Sequence, residues 1–241
     1  MDFRDSEKEA AFRGEARAFL EAHKPAKWQH PFDDDVDEHA LLTGSRAWQR
    51  TLYENGWGAI LWPRDFGGRG LGPIEAIIWN QELVRLGLGE SIFVVGTAMA
   101  GPTIIAHGTP EQKSRYLEPL ARGDEIWCQL FSEPDAGSDA AGVKTKATRV
   151  DGGWLVNGQK VWTSGAHVAG MGFATVRTNP DVPKHDGITM MAIDMHAEGV
   201  EVRPLKMTSG NSEFNEAFFN DVLVPDDDVV GPVDGGWTVA R

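Results

Sequence analysis

An α+β chain, with a run of helices first and a run of strands after it, is what this sequence predicts. Three observations carry that reading. Apolar residues in the first half recur at helical spacing, as at Phe12, Ala16, Phe19 and Leu20. From about Glu125 the period falls to two, with Thr145, Ala147 and Arg149 alternating against Lys144, Lys146 and Thr148. The two signals do not interleave, so two segregated domains are expected rather than a doubly wound sheet, with a boundary near Arg122 to Ile126.

Each element has a local cause. Ser6 and Glu9 form a capping box before the first helix, and a second helix is expected from about Asp37 to Asn55 around Leu41, Leu42, Trp48, Leu52 and Tyr53. Trp62 to Pro73 holds Gly67, Gly68, Gly70 and Gly72 and reads as a loop. Pro73 and Ile74 open a third helix with Ile77, Ile78, Leu83 and Val84. The stretch from Ser91 to His107 is nearly uncharged and is expected to be buried among other helices. Thr109, Pro110 and Glu111 supply a cap, a first-turn proline and an acid that start another helix. Asp151-Gly152-Gly153 marks a turn, and Asn157-Gly158 predicts a hairpin between Trp154–Val156 and Gln159–Ser164. Further strands are expected at Phe173–Arg177, Ile188–Asp194, Val200–Arg203 and Ala217–Val224, and Trp237 to Arg241 reads as the first turn of a helix that continues past the sequence.

Composition removes several classes of function. A net charge of −13 disfavours nucleic acid, because phosphate is repelled over most of such a surface. No apolar run approaches the roughly 20 residues of a membrane helix. The start of the chain has no apolar signal core, and a cytoplasmic location is expected. The single cysteine, Cys128, lies in an apolar run and reads as a buried structural thiol. The seven histidines are scattered without metal-ligand spacing, so no metal site is expected. Gly87-Leu88-Gly89 lacks the third glycine of a dinucleotide fingerprint, and no Gly-x-Ser-x-Gly elbow occurs.

What remains is a cradle. Gln129, Phe131 and Glu133 would alternate with Leu130 and Ser132 along one strand, leading to a tight turn at Pro134 to Asp139. The turn amides with Ser138 suit a pyrophosphate, while Trp162 offers a flat face and Ser164 lies two residues on, on the same side. Taken singly, each has an ordinary reading: Trp162 as core, Ser132 and Ser138 as turn caps. Their joint occurrence points to a planar, phosphate-bearing cofactor.

These motifs resemble the acyl-CoA dehydrogenases. The resemblance runs through Gly56-Trp57, Trp62-Pro63, Gly67-Gly68-x-Gly70, Gly101-Pro102-Thr103 and the stretch from Gly108 to Leu117. It continues through Ser132-Glu133-Pro134-x-Ala136-Gly137-Ser138-Asp139 and Gly158-Gln159-Lys160-x-Trp162. It implies a helical domain over residues 1–123, a β-sandwich or barrel-like middle domain over 124–232, and the start of a C-terminal helical domain at 233–241. It implies FAD held by Gln129, Leu130, Phe131, Ser132, Gly137, Ser138, Trp162, Thr163 and Ser164. Ser138, Val94, Val95 and Met99 are implied to face the substrate. The implied reaction is α,β-dehydrogenation of an acyl-CoA to a 2,3-enoyl-CoA, as in lipid β-oxidation, with electrons passing to an electron-transferring flavoprotein. A homotetramer or heterotetramer is implied for the full-length protein.

Two departures qualify the resemblance. The family's catalytic carboxylate belongs to its third domain, so the base is expected beyond Arg241 and this piece alone is expected to be inactive. Asn215 stands where many fatty-acyl members carry arginine, which leaves the acyl group open between fatty and steroid chains. A non-catalytic flavin-binding subunit and a flavin monooxygenase on the same fold are the competing expectations.

Overall fold

The computed structural model describes residues 4–29, 37–89, 91–208, 210 and 212–241. The chain divides into two compact units. The first comprises the described residues up to Val94 together with Ala121–Asp124, and the second Val95–Leu120 with Glu125–Arg241. The helical stretch 95–120 therefore clusters with the strands that follow it in sequence.

In the first unit, α1 (Glu7–His23) starts where the capping box predicts, with the Glu9 amide donating to Ser6 Oγ at 3.3 Å and the Ser6 amide to Glu9 Oε2 at 2.7 Å. Asp37 caps α2 (Glu38–Glu54), and α3 (Pro73–Arg85) opens on its proline. Their apolar faces meet around Trp57, which stacks on Trp79 at 4.6 Å and on Phe19 at 5.2 Å between ring centres. The glycine-rich loop after Trp62 turns back on itself closely enough that a Cβ at Gly68 would lie 2.0 Å from the Trp62 carbonyl oxygen. On α3, Ile78 and Trp79 are buried, but Ile74, Ile77 and Val84 are exposed.

Glu82 on α3 joins that helix to α1. Its buried carboxylate accepts from Arg17 Nε at 2.9 Å and Nη2 at 2.8 Å, from Arg85 Nε at 2.8 Å and from Arg13 Nη1 at 3.3 Å. The Arg17 hydrogen bonds, followed by those of Arg85 and Arg13, outweigh desolvation and hold the Glu82 pKa down at about 2.

The second unit is built on one eight-stranded mixed sheet. Its strands are β1 (Trp127–Leu130), β2 (Lys146–Val150), β3 (Gly153–Ser164), β4 (Met171–Arg177), β5 (Ile188–Asp194), β6 (Val200–Leu205), β7 (Phe214–Pro225) and β8 (Val229–Val230). The order is β6-β7-β3-β2-β4-β5-β8, and β1 runs parallel to β4 from the Trp127–Met171 pair to the Leu130–Ala174 pair. β4 and β5 are buried almost throughout. Cys128 is fully buried, and burial pushes its thiol up to about 12, as befits a structural residue.

Three further α-helices and a π-turn belong to the rest of the chain. Residues 94–107 are continuously helical, with a π-turn at Gly96–Ala100 ahead of α4 (Gly101–His107). This corrects the expectation of a wholly buried segment. Gly96, Ala100 and Ile104 are buried, but Val94 and Met99 are 54% and 40% exposed. α5 (Pro110–Arg122) is capped by Thr109 and carries Tyr116, whose hydroxyl donates to Asp228 beside β8. Gln112 Nε2 reinforces that join, donating to the Asp227 and Val229 carbonyls at 2.8 Å each. The short α6 (Gly236–Val239) lies against β5.

The hairpin expected at Asn157-Gly158 is not there. β3 runs unbroken through both residues, and the β2–β3 turn lies at Asp151-Gly152. Asn157 and Gly158 instead mark a register shift against β7: Asn157 Nδ2 donates to Asp221 Oδ1 at 2.8 Å, and the Asp221 amide returns a bond to Asn157 Oδ1 at 3.0 Å. Glycine is required at 158 because φ is 151° and a Cβ would lie 2.6 Å from Thr145 Oγ1.

Two stability measurements check these contacts. Gly158→Ala should cost about 2–3 kcal/mol in a denaturant titration, through overpacking and backbone strain; a loss below about 0.5 kcal/mol would mean that β2 yields freely. Glu82→Gln should cost about 2 kcal/mol, because hydrogen bonds to a charged group are lost. Since the folded-state pKa of Glu82 is depressed, its contribution is present above pH 4.5 and fades as pH falls towards 2. The deficit of Glu82→Gln should therefore shrink over that window, and a pH-independent deficit would contradict the assignment.

Candidate functional site

The sheet brings the end of β1 against the middle of β3. Its ladder with β4 ends at the Leu130–Ala174 pair, so the strand is one residue pair long past Gln129, and the alternation expected over 128–132 stops there. Leu130 is buried, while Gln129, Phe131 and Ser132 are half-buried. Phe131 and Ser132 continue beyond the ladder. There the Ser132 carbonyl accepts the Val161 amide at 2.9 Å, and the Phe131 carbonyl accepts Lys160 Nζ at 3.1 Å.

Glu133 lies beyond the end of the β1 ladder. The chain turns back on itself through paired Glu133 and Ala136 amides, at 2.9 and 3.0 Å, and the carboxylate is directed inward. It accepts Lys160 Nζ at 2.8 Å, the Thr145 amide at 3.0 Å and the Lys144 amide at 2.6 Å. Burial works to raise its pKa, but the Lys160 charge and these hydrogen bonds together hold it below the ordinary carboxylate value. Beyond this turn, Gly137 and Ser138 are exposed.

Trp162 is the most unusual residue of the sheet. Between Lys160 and Thr163 the register of β3 against β7 shifts, and Trp162 sits in this bulge at φ 60°, a left-handed conformation that a bulky side chain adopts only under strain. The bulge turns the ring out of the core, so the reading of Trp162 as a core residue fails: it is 61% exposed. Phe214 meets it edge-on at 6.0 Å between ring centres. Ser164 is exposed like Trp162, and Thr163 between them is buried.

Lys160 and His167 escaped the sequence reading as site members, and Asn215 entered it only as the residue that stands where many fatty-acyl members carry arginine. Asn215 is fully buried on β7; its Nδ2 donates to the Thr163 carbonyl at 3.0 Å and lies 3.2 Å from His167 Nδ1. Thr163 Oγ1 and Asn215 Oδ1 are both buried with no hydrogen-bond partner. An unpartnered hydroxyl, able to donate or accept, and an unpartnered amide oxygen in the strand pair that carries the outward-facing indole suit a polar ligand.

The structure thus brings Phe131, Ser132, Trp162, Thr163 and Ser164 into one neighbourhood, with Gly137 and Ser138 one turn further along the same chain. The π-turn carrying Met99 packs against β1, and Val95 precedes it half-buried. Val94 lies on the same helix and is exposed. Among the described residues no three His, Cys, Asp or Glu side chains gather as a metal site.

A helical unit followed by a mixed sheet with this constellation has counterparts among known proteins. Residues 6–124 match the acyl-CoA dehydrogenase N-terminal domain, and residues 128–222 match the acyl-CoA dehydrogenase middle domain. The chain belongs to the acyl-CoA dehydrogenase family. It is 50% identical to acyl-CoA dehydrogenase FadE34 of Mycobacterium tuberculosis over 193 residues, which are 80% of this chain and 27% of that protein. With acyl-CoA dehydrogenase IpdE1 of the same organism it shares 39% identity over 203 residues, 84% of this chain and 53% of the relative. It thus spans about half or less of these relatives' lengths. Among solved structures, the ChsE4–ChsE5 complex of M. tuberculosis superposes with a TM-score of 0.82 at 32% identity, covering 99% of this chain and 60% of that one. A steroid acyl-CoA dehydrogenase, Tcur3481–Tcur3483, gives 0.81 at 31% identity, covering 99% and 61%.

The bulge predicts an unusual mutational result. Trp162→Gly removes left-handed strain worth about 1–3 kcal/mol and an edge-on ring contact worth about 0.5–1.5 kcal/mol. Thermal unfolding of Trp162→Gly should therefore show no loss above about 1 kcal/mol, although a tryptophan is lost. A cost above about 2 kcal/mol, of the kind expected for a core aromatic, would show that the ring holds the fold together.

Proposed function

We propose that the protein of which this chain is part is an FAD-dependent acyl-CoA dehydrogenase, converting an acyl-CoA thioester to the 2,3-enoyl-CoA. The observation that carries this reading is Trp162, held outward by a strained bulge beside the unladdered Phe131–Ser132 segment and the orphaned Thr163 hydroxyl. These residues fit a flavin: a flat apolar wall, backbone amides past a strand end and an unpaired buried hydroxyl. FAD, when bound, supplies the hydride acceptor.

The chain's own residues hold and orient. In this reading the backbone of Gln129 to Ser132, with the Ser132 hydroxyl, faces the cofactor's polar edge. Trp162 covers one ring face, and Thr163 and Ser164 complete that side. Gly137 and Ser138 reach towards the pyrophosphate and, for Ser138, the coenzyme A portion of the substrate. Donors fixed in advance at the cofactor edge stabilise charge as it develops, and a dry pocket strengthens them. Val94, Val95 and Met99 offer apolar side chains for the acyl group.

The base that takes the α-proton is assigned outside residues 1–241. Glu133 is excluded from that role by its neighbours, since its carboxylate is 6% exposed and already engaged by Lys160, Lys144 and Thr145. A steroid-bearing acyl group is the substrate reading that the similarity to the steroid acyl-CoA dehydrogenase Tcur3481–Tcur3483 supports, and assembly with a second kind of subunit follows the similarity to the ChsE4–ChsE5 complex. An electron-transferring flavoprotein is the proposed acceptor. No described helix is long and apolar enough to cross a membrane.

The test compares the full reading frame with the 241-residue chain, on straight-chain and steroid acyl-CoAs with an artificial electron acceptor. The full-length protein should purify yellow and turn over. The 241-residue chain should lose at least the roughly 10²–10⁴-fold of general-base catalysis. Full-length protein that stays colourless after incubation with FAD would sink the cofactor reading, and robust turnover by the short chain would place the base within it. In the full-length enzyme, Val94→Trp should shift acyl preference with flavin content unchanged. Because Val94 is exposed, loss of folding is not expected, and its occurrence would assign the residue to packing.

A further inference from the structure

Lys160 is a charged side chain with no exposure at all, and its contacts are specific. Its ammonium donates to Glu133 Oε1 at 2.8 Å, to the Thr175 carbonyl at 2.7 Å and to the Phe131 carbonyl at 3.1 Å. Three donors meet three acceptors. Burial works to lower the Lys160 pKa, and the adjoining Glu133 charge opposes it. Glu133 is itself immobilised by the Lys144 and Thr145 amides.

The contact with Phe131 has a chemical consequence. The Phe131 carbonyl and the Ser132 N–H belong to the same peptide group. An ammonium on that oxygen draws electron density from the peptide nitrogen, which makes the N–H a stronger donor, as in any polarised chain of hydrogen bonds. The next peptide is fixed as well, because the Ser132 carbonyl accepts the Val161 amide at 2.9 Å. Both carbonyls flanking the Ser132 amide are thus tied to β3, one residue before the bulge that presents Trp162.

Resting on the reading that FAD binds at this face, we propose that Lys160 is a positioning residue: it orients and polarises the Phe131–Ser132 peptide so that the Ser132 amide donates to the electron-rich edge of the reduced flavin, with Glu133 as its fixed counter-charge. Lys160 touches neither cofactor nor substrate and acts through the peptide. Its effect is therefore larger on the reduced, more negative cofactor than on the oxidised one.

The test exploits the difference between breaking a buried ion pair and replacing it. Lys160→Met alone strands the Glu133 carboxylate, whereas Glu133→Gln/Lys160→Met removes both charges and is expected to fold with a melting temperature near that of the parent. In the full-length holoenzyme the double variant should bind reduced FAD about tenfold more weakly, relative to its binding of oxidised FAD. For a two-electron couple this lowers the midpoint potential by about 30 mV. A folded double variant with parental potential would overturn the proposal and leave the pair a packing device. A second measurement needs no variant: in the wild-type protein, hydrogen exchange at the Ser132 amide should slow on addition of FAD, and unchanged exchange in a flavin-loaded protein would also overturn it. Wild-type protein that takes up no FAD would instead remove the cofactor reading on which the proposal stands.

Discussion

The bulge between Lys160 and Thr163 is the constraint on which the candidate site depends. A regular strand would place residues 160, 162 and 164 on one face, so a buried Lys160 would demand a buried Trp162. The register shift breaks that parity. It leaves Lys160 and Val161 both inside and turns Trp162 and Ser164 out. One inserted residue lets a single strand bury a charge against the end of β1 and, two positions later, expose a large ring beside it. The strained φ of Trp162 accompanies this change of sides, and the Asn215 bond to the Thr163 carbonyl secures the strand where regular pairing resumes.

Glu82 in the first unit and Glu133 in the second are both buried carboxylates, and the two are satisfied differently. Glu82 is neutralised by guanidiniums from two helices, all of which retain some exposure, so part of their hydration survives. Glu133 faces a lysine with none, and its remaining capacity is filled by main-chain amides. The first arrangement ties α1 to α3 by side chains alone. The second fixes the backbone itself, at residues 131, 144, 145 and 175. A device of that kind sets the path of the chain to within a hydrogen-bond length, which is what a segment aimed at a ligand requires.

Much of the fold was legible because it rests on local chemistry. Ser6 with Glu9, Thr109 with Pro110, and Asp151-Gly152 each satisfy backbone groups within a few residues, and the structure uses all of them as read. Asn157-Gly158 misled for a physical reason. The same pair that suits a tight turn also suits a bulge, where glycine clears Thr145 and the asparagine amide reaches Asp221, 64 residues away in sequence. Only the partner strand decides between them. On α3, apolar content alone does not separate Ile78, which is buried, from Ile74, Ile77 and Val84, which are exposed.

The candidate site was legible as a set of residue types and much less as an arrangement. The aromatic, the hydroxyls and the glycine turn could be picked out because each type has a separate chemical use. The roles of Lys160 and Asn215 could not be, because both depend on long-range pairing: Lys160 reaches 29 residues back to Phe131, and Asn215 reaches 52 residues back to Thr163. Alternation counted along β3 would have put Lys160 with Trp162 on one face, and that inference fails at the bulge for the same reason that Trp162 is exposed. A period-two rule locates side chains only while the ladder stays in register. Where the ladder slips, the residue that departs from the pattern is the one presented to solvent, and here that residue is the tryptophan.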